Sequence, residues 1–148
     1  MIGIVIATHG KLAEGILHAT QVIFGDTNNI QTVSLNQEDN IEVFGNKINT
    51  AISEVNQEEG VIVFVDIEIA SPYNQSMLTI NKLQKELKDK LFIITGVNLP
   101  MVLEAINQQL IDAEVEQAVQ NIIEIGTHSV KQWSASVAIE NDDFEDDF

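Results

Sequence analysis

The chain contains no cysteine and no arginine. Without cysteine there is no disulfide, no thiolate-ligated metal or iron–sulfur cluster, and no thiol nucleophile. Basic charge is scarce as well: 7 lysines stand against 23 acidic residues, leaving a net charge of −16. Nucleic acid and anionic membrane surfaces are therefore poor partners, because both are bound largely through basic side chains. No apolar run approaches the ~20 residues of a membrane-spanning helix. The opening Met1-Ile2-Gly3-Ile4-Val5-Ile6 has neither the positive flank nor the small-residue cleavage site of a secretory signal. A soluble, intracellular protein is expected. Only two prolines occur, and no Pro/Gly-rich linker or internal repeat divides the chain.

What is present suits one domain. The 148 residues are 45% apolar, and a domain of this size buries roughly 70% of its unfolded surface. The acids are unevenly spread. Glu140–Phe148 holds six of them and no base, so it repels itself and is expected to be mobile, either as a solvated terminus or as an acidic docking arm anchored by its two phenylalanines. The expected division is a folded domain over residues 1–134 and an acidic tail over 135–148.

Three short β-branched runs, Ile2–Ala7, Val61–Val65 and Leu91–Thr95, are continuously apolar. That pattern fits strands covered on both faces, as in a parallel sheet. Ile30–Leu35 is weaker and fits an edge strand. Between them, Leu12, Ile16, Ala19 and Ile23 recur at helical spacing, as do Ile41, Phe44, Ile48, Ile52 and Val55, and then Met77, Ile80, Leu83 and Leu87. Strands alternating with helices imply right-handed crossovers and an open, doubly wound α/β sheet. Pro100 starts a helix to about Leu110, and a further helix is expected over Ala113–Ile125, stopped by Gly126. Val130–Val137, around Trp133, reads as a last short strand.

In such sheets ligands bind beyond the carboxyl ends of the strands, where strand order reverses. The turns that matter are Thr8-His9-Gly10, then Asp66-Ile67-Glu68-Ile69-Ala70-Ser71-Pro72, then Gly96-Val97-Asn98-Leu99-Pro100. If the first strand lies beside the third, His9 and Asp66 share a rim. A carboxylate that accepts from Nδ1–H fixes the imidazole tautomer and leaves Nε2 with its lone pair outward. Gly10 leaves room for close approach. Alone, His9 reads as a rim histidine capping a strand end, and Asp66 alone is equally consistent with a helix cap or a solvated turn. Ser71-Pro72 reads as an N-cap followed by a first-turn proline, a helix start that favours an anion, with a hydroxyl able to touch a phosphoryl oxygen. The same pair also serves as a purely structural cap.

Other chemistries lack their residues. There is no Walker A motif and no G-x-G-x-x-G, and His9, His18 and His128 have no metal-ligand spacing. Neither a metal nor a nucleotide cofactor is expected. A response-regulator site would need an acidic pair where Thr8-His9 stands. His18 falls opposite the apolar stripe of its helix and is expected to be solvated; His128 sits between a helix stop and the last strand, with no nearby carboxylate or second histidine.

Laid out in this way, the chain resembles the EIIA domain of the mannose-type sugar phosphotransferase system. Gly3-Ile4-Val5-Ile6-Ala7-Thr8-His9-Gly10-Lys11-Leu12-Ala13-Glu14-Gly15 is similar to that family's N-terminal signature. Val63-Phe64-Val65-Asp66 with Ser71-Pro72-Tyr73-Asn74 is similar to its second motif, and Ile94-Thr95-Gly96-Val97-Asn98-Leu99-Pro100-Met101 to its third. The resemblance implies four parallel strands in the order 2-1-3-4 with helices on both faces. It adds a C-terminal antiparallel edge strand exchanged in a homodimer, with Val130–Trp133 at its place. It also implies a cytoplasmic phosphocarrier. His9 would accept a phosphoryl group on Nε2 from HPr and pass it to a histidine of EIIB, which serves membrane subunits EIIC and EIID; Asp66 would orient the ring and Ser71 contact the phosphoryl group. The family's Gly-Gly before Ser-Pro is replaced here by Ile69-Ala70, and a β-branched residue disfavours the positive φ that glycine permits. Two other readings share the fold: a regulatory module that binds a partner without transfer, and the phosphotransfer subunit of a dihydroxyacetone kinase. Leu12, Leu99 and Met101 are candidates for an apolar docking patch, or for core. The sugar is not legible.

Overall fold

The computed structural model describes residues 1–138; the acidic segment Glu140–Phe148 lies outside the described residues. Its sheet is built from β1 (Gly3–His9), β2 (Ile30–Leu35), β3 (Val61–Val65) and β4 (Leu91–Ile94). All pairings are parallel and the order is β2-β1-β3-β4, as expected.

Alternate residues of the central strands feed two separate cores, which is why their apolarity is continuous. Ile4, Ile6, Ile62 and Phe64 face α1 (Leu12–Phe24), α5 (Leu99–Leu110) and α6 (Val115–His128), through Ala13, Ile16, Val102, Ala105, Ala118 and Ile122. On the opposite face Val5, Ala7, Val63 and Val65 meet α2 (Ile41–Val55) through Phe44, Ile48, Ile52 and Val55, and α3 (Ser71–Asn81) through Ile80. Helices thus cover both faces of the sheet.

Four expectations need correcting. The apolar stripe of α1 is only partly used: Ala13, Ile16 and Thr20 are buried, whereas Leu12 and Ile23 are exposed. The helical pattern running through Leu87 is two helices, α3 and the single turn α4 (Lys85–Lys88), with Leu83 and Leu87 packed on the second core. Gly126 does not stop α6, which continues to His128. Gly126 is buried inside the helix because Met101 packs where its side chain would be: an added Cβ would lie 2.5 Å from Met101 Cγ and Cε. Finally, Val130–Val137 is not a strand. Residues 130–134 are irregular and a short helix, α7 (Ala135–Ala138), follows, with Val130 and Trp133 exposed. A strand exists only by pairing, and among the described residues no edge of the sheet is paired with this segment.

Candidate functional site

Parallel pairing of β1 with β3 sets Ala7 opposite Val65, so the chain leaves both strands on one rim. This is the point where strand order reverses, because β2 lies on one side of β1 and β3 on the other. His9 ends β1, and Asp66 immediately follows β3.

The two side chains meet. His9 Nδ1 and Asp66 Oδ2 are 2.8 Å apart. The backbone N–H of His9 donates to the same oxygen at 3.0 Å, and Ile67 N–H donates to Oδ1 at 3.0 Å. An ionised carboxylate only accepts, so Nδ1 must carry a proton and, in the neutral ring, Nε2 holds the lone pair. The His9 side chain is 46% exposed while that of Asp66 is 10% exposed. Nε2 makes no hydrogen bond among the described residues. The result is an imidazole with one nitrogen fixed from behind by a carboxylate and the other free of hydrogen bonds among the described residues.

The charge of the pair follows from its contacts. Burial pushes the Asp66 carboxyl up, but the backbone N–H of His9, the His9 ring, its charge and a local backbone amide together hold it below its ordinary value of 3.8. A group depressed on folding adds stability that is complete above its unfolded value and is lost as pH falls through the folded one. The wild type is therefore expected to lose unfolding free energy relative to Asp66→Asn on acidification from about pH 5 to below 3.8. Urea unfolding of both proteins across that range checks this; a pH-independent difference between them refutes it.

Thr8, which sequence reasoning passed over, has a structural part. It is fully buried, and its Oγ1 accepts from Ala13 N–H at 2.9 Å. It thereby satisfies a free donor at the start of α1 and fixes the turn carrying His9 and Gly10. The only signal was a Thr five residues before Ala13. Gly10 has φ +56 with nothing near its missing Cβ, and its N–H extends the β1–β2 ladder to Leu35 O at 2.8 Å.

The loop after Asp66 departs from expectation twice. Ile69 adopts φ +56, a left-handed conformation that costs an L-residue about 1–2 kcal/mol. The turn thus survives the loss of glycine. Ala70, not Ser71, stands at the N-cap of α3, and no side chain caps this helix. Ser71 is its first residue, with Pro72 beside it in the first turn, and its half-buried hydroxyl makes no hydrogen bond among the described residues. The position is the same rim, since the segment from Asp66 to Ser71 leaves β3 there. Of the three candidates for a docking patch, Leu12 is exposed, Met101 belongs to the core, and Leu99 packs against it. His18 and His128 are both exposed, with no carboxylate partner among the described residues, and the His128 Nδ1–H donates to Glu124 O at 2.8 Å. Among the described residues there is no cluster suited to a metal ion and no helix long and apolar enough to cross a membrane.

An open α/β domain with a histidine–carboxylate pair at its switch point is the class that fold and site define. The family model EIIA-man, described as the fructose IIA component of the PTS system, matches residues 3–123. The chain belongs to this mannose-type EIIA family of phosphotransferase components. It is 30% identical over 135 residues to the mannose-specific EIIAB component of Escherichia coli K12, covering 90% of this chain and 40% of that one. It is 29% identical over 107 residues to the fructose-specific EIIA component of Bacillus subtilis, covering 72% and 70%. The chain thus spans about two fifths of the mannose-specific relative. Among solved structures, an EIIA component of Streptococcus agalactiae superposes with a TM-score of 0.75 at 23% identity, covering 89% of this chain and 97% of that one. A IIA protein associated with the fucose utilization operon of Streptococcus pneumoniae gives 0.69 at 25%, covering 93% and 96%.

Proposed function

We propose that the protein is a phosphocarrier that accepts a phosphoryl group from phospho-HPr on His9 Nε2 and passes it to a histidine of EIIB during sugar uptake. The observation that carries this reading is the His9–Asp66 pair, 2.8 Å apart at the open end of the sheet. The lone pair of Nε2 attacks phosphorus in line. A P–N bond forms to His9 as the P–N bond to the donor's histidine breaks, and the departing imidazole keeps the electron pair. Because Nδ1–H is retained, the phosphorylated ring is cationic, and the Asp66 carboxylate stands against that charge. The bond broken and the bond formed are both phosphorus–nitrogen bonds to an imidazole, so transfer between histidines is close to balanced and runs in either direction. Beyond the nucleophile itself, phosphoryl transfer needs in-line positioning and charge stabilisation more than further covalent chemistry from the protein. Gly10 leaves space for the incoming group, and Ser71, the first residue of α3, contacts a phosphoryl oxygen through its hydroxyl.

The acidic surface suits basic partners, which it draws in quickly for brief encounters. The partners are HPr and EIIB in the cytoplasm, with EIIC and EIID joined only through EIIB. A homodimer formed by exchange of the segment around Trp133 is part of the proposal; pairing on a second chain would turn this exposed segment into a strand. Ile69 keeps the left-handed turn, so the replacement of Gly-Gly gives no ground for preferring a module that binds without transfer. Incubation with phosphoenolpyruvate, Enzyme I and HPr should add one acid-labile, base-stable phosphoryl group per chain. A folded protein that binds HPr yet takes no label would overturn the reading.

A further inference from the structure

The loop between Asp66 and α3 carries two exposed apolar side chains that folding does not account for. Ile67 is 58% exposed and Ile69 is 77% exposed, so neither gains from burial. Ile69 is also held at positive φ, where glycine would be the less strained choice. Glu38 and Glu58 are exposed at positive φ as well, so the strain belongs to the turn; what sets Ile69 apart is an apolar side chain held out to solvent beside His9. Both residues stand beside the nucleophile. Ile67 N–H is bonded to the carboxylate that holds His9, and the Ile69 Cα lies within about 11 Å of the Asp66 Cα, three peptide units away. Across the rim Leu12, the first residue of α1, is 47% exposed.

Resting on the phosphocarrier reading, we propose that Ile69, with Ile67 and Leu12, forms the apolar contact that seats the phosphoryl-donating protein over His9 Nε2. The residue is a specificity determinant, not a catalytic group. The partner it fits presents an apolar centre ringed by basic side chains. Exposed Glu68 lies between the two isoleucines and exposed Glu14 follows Leu12, with Lys11 the one base beside them, on a chain of net charge −16. Apolar anchors at the middle of a charged rim supply most of the binding energy in such contacts. The geometry adds a reason for isoleucine over glycine: a fixed, protruding side chain loses little freedom when a partner covers it.

The test compares wild type, Ile69→Gly and Ile67→Ser for phosphorylation by phospho-HPr and, separately, by phosphoramidate, a small donor with no docking surface. Ile69→Gly should raise the KM for phospho-HPr on the order of tenfold while leaving kcat and the phosphoramidate rate unchanged. Ile67→Ser should act in the same direction. Relief of the backbone strain keeps Ile69→Gly folded, which thermal unfolding verifies. An unchanged KM in both variants overturns the proposal, as does a loss confined to onward transfer to EIIB. A parallel fall with both donors also overturns it, because the loop then shapes the nucleophile rather than the docking. Absence of label from either donor in folded wild type defeats the phosphocarrier reading itself, and this proposal with it.

Discussion

His9→Ala is expected to reduce phosphoryl labelling by phosphoenolpyruvate, Enzyme I and HPr to background, with the fold retained. The substitution deletes the only imidazole backed by a carboxylate among the described residues. His18 and His128 are exposed as well, so access alone does not distinguish the three. What sets His9 apart is that its Nδ1 is held by Asp66 while Nε2 is left open, whereas the His128 Nδ1 contacts the Glu124 carbonyl and the Thr127 hydroxyl, neither of them charged. A carbonyl fixes a ring but carries no full charge to balance a phosphorylated imidazolium. The fold should survive because Asp66 keeps two donors, the backbone N–H groups of residue 9 and of Ile67. Losing one exposed hydrogen bond to a charged group costs roughly 1–3 kcal/mol, a drop of several degrees in Tm for a domain of this size. Intact-mass measurement of the phosphorylated protein, with thermal unfolding as the control, reads both effects. Full labelling of a folded His9→Ala protein would remove His9 from the mechanism.

The sheet was legible because each of its central strands is apolar on both faces, and only a strand between two helical layers has a use for that. Val61–Val65 appears in the structure with the bounds read from its residues. The rim followed from topology: once β1 lies beside β3, the residues after both strands must meet. Helix boundaries were less legible where tertiary contacts decide them. Nothing local to Gly126 says that Met101 occupies the space of its absent side chain, so the glycine read as a stop. Val130–Val137 has the composition of a strand, but composition cannot supply an edge to pair with. Within this single chain the segment is left irregular and helical.

Ile69 marks a different boundary on what local rules can say. Steric propensity argues against a β-branched residue at positive φ, and by that rule the loop should have changed course. It did not, because the turn is over-determined on both sides. Asp66 is tied to His9 and to Ile67 N–H, and α3 is anchored by Pro72 and Ser76, both buried. The few residues between those anchors must complete the turn whatever their side chains, and the cost falls on the backbone.

Asp66→Asn is expected to slow transfer by about 10²–10⁴-fold while leaving a folded protein, since it alters which nitrogen of His9 holds the proton rather than where the ring sits. In the wild type, Oδ2 accepts from both His9 N–H and the ring, and Oδ1 accepts from Ile67 N–H. An asparagine has one acceptor for these three donors. If its oxygen takes the His9 side, its NH₂ opposes Ile67 N–H, two donors face to face. If it takes the Ile67 side, the NH₂ faces His9, and the ring can answer only by moving its proton to Nε2. The lone pair then points inward and the nucleophile is gone. Either arrangement also deletes the negative charge that stands against the phosphorylated, cationic ring. Rapid-quench measurement of the first transfer from phospho-HPr separates the outcomes. A rate loss with unchanged KM is the signature of a group that orients and balances charge at the reacting ring. A rise in KM alone would place Asp66 in the docking surface, and an unchanged rate would leave the imidazole without need of its carboxylate.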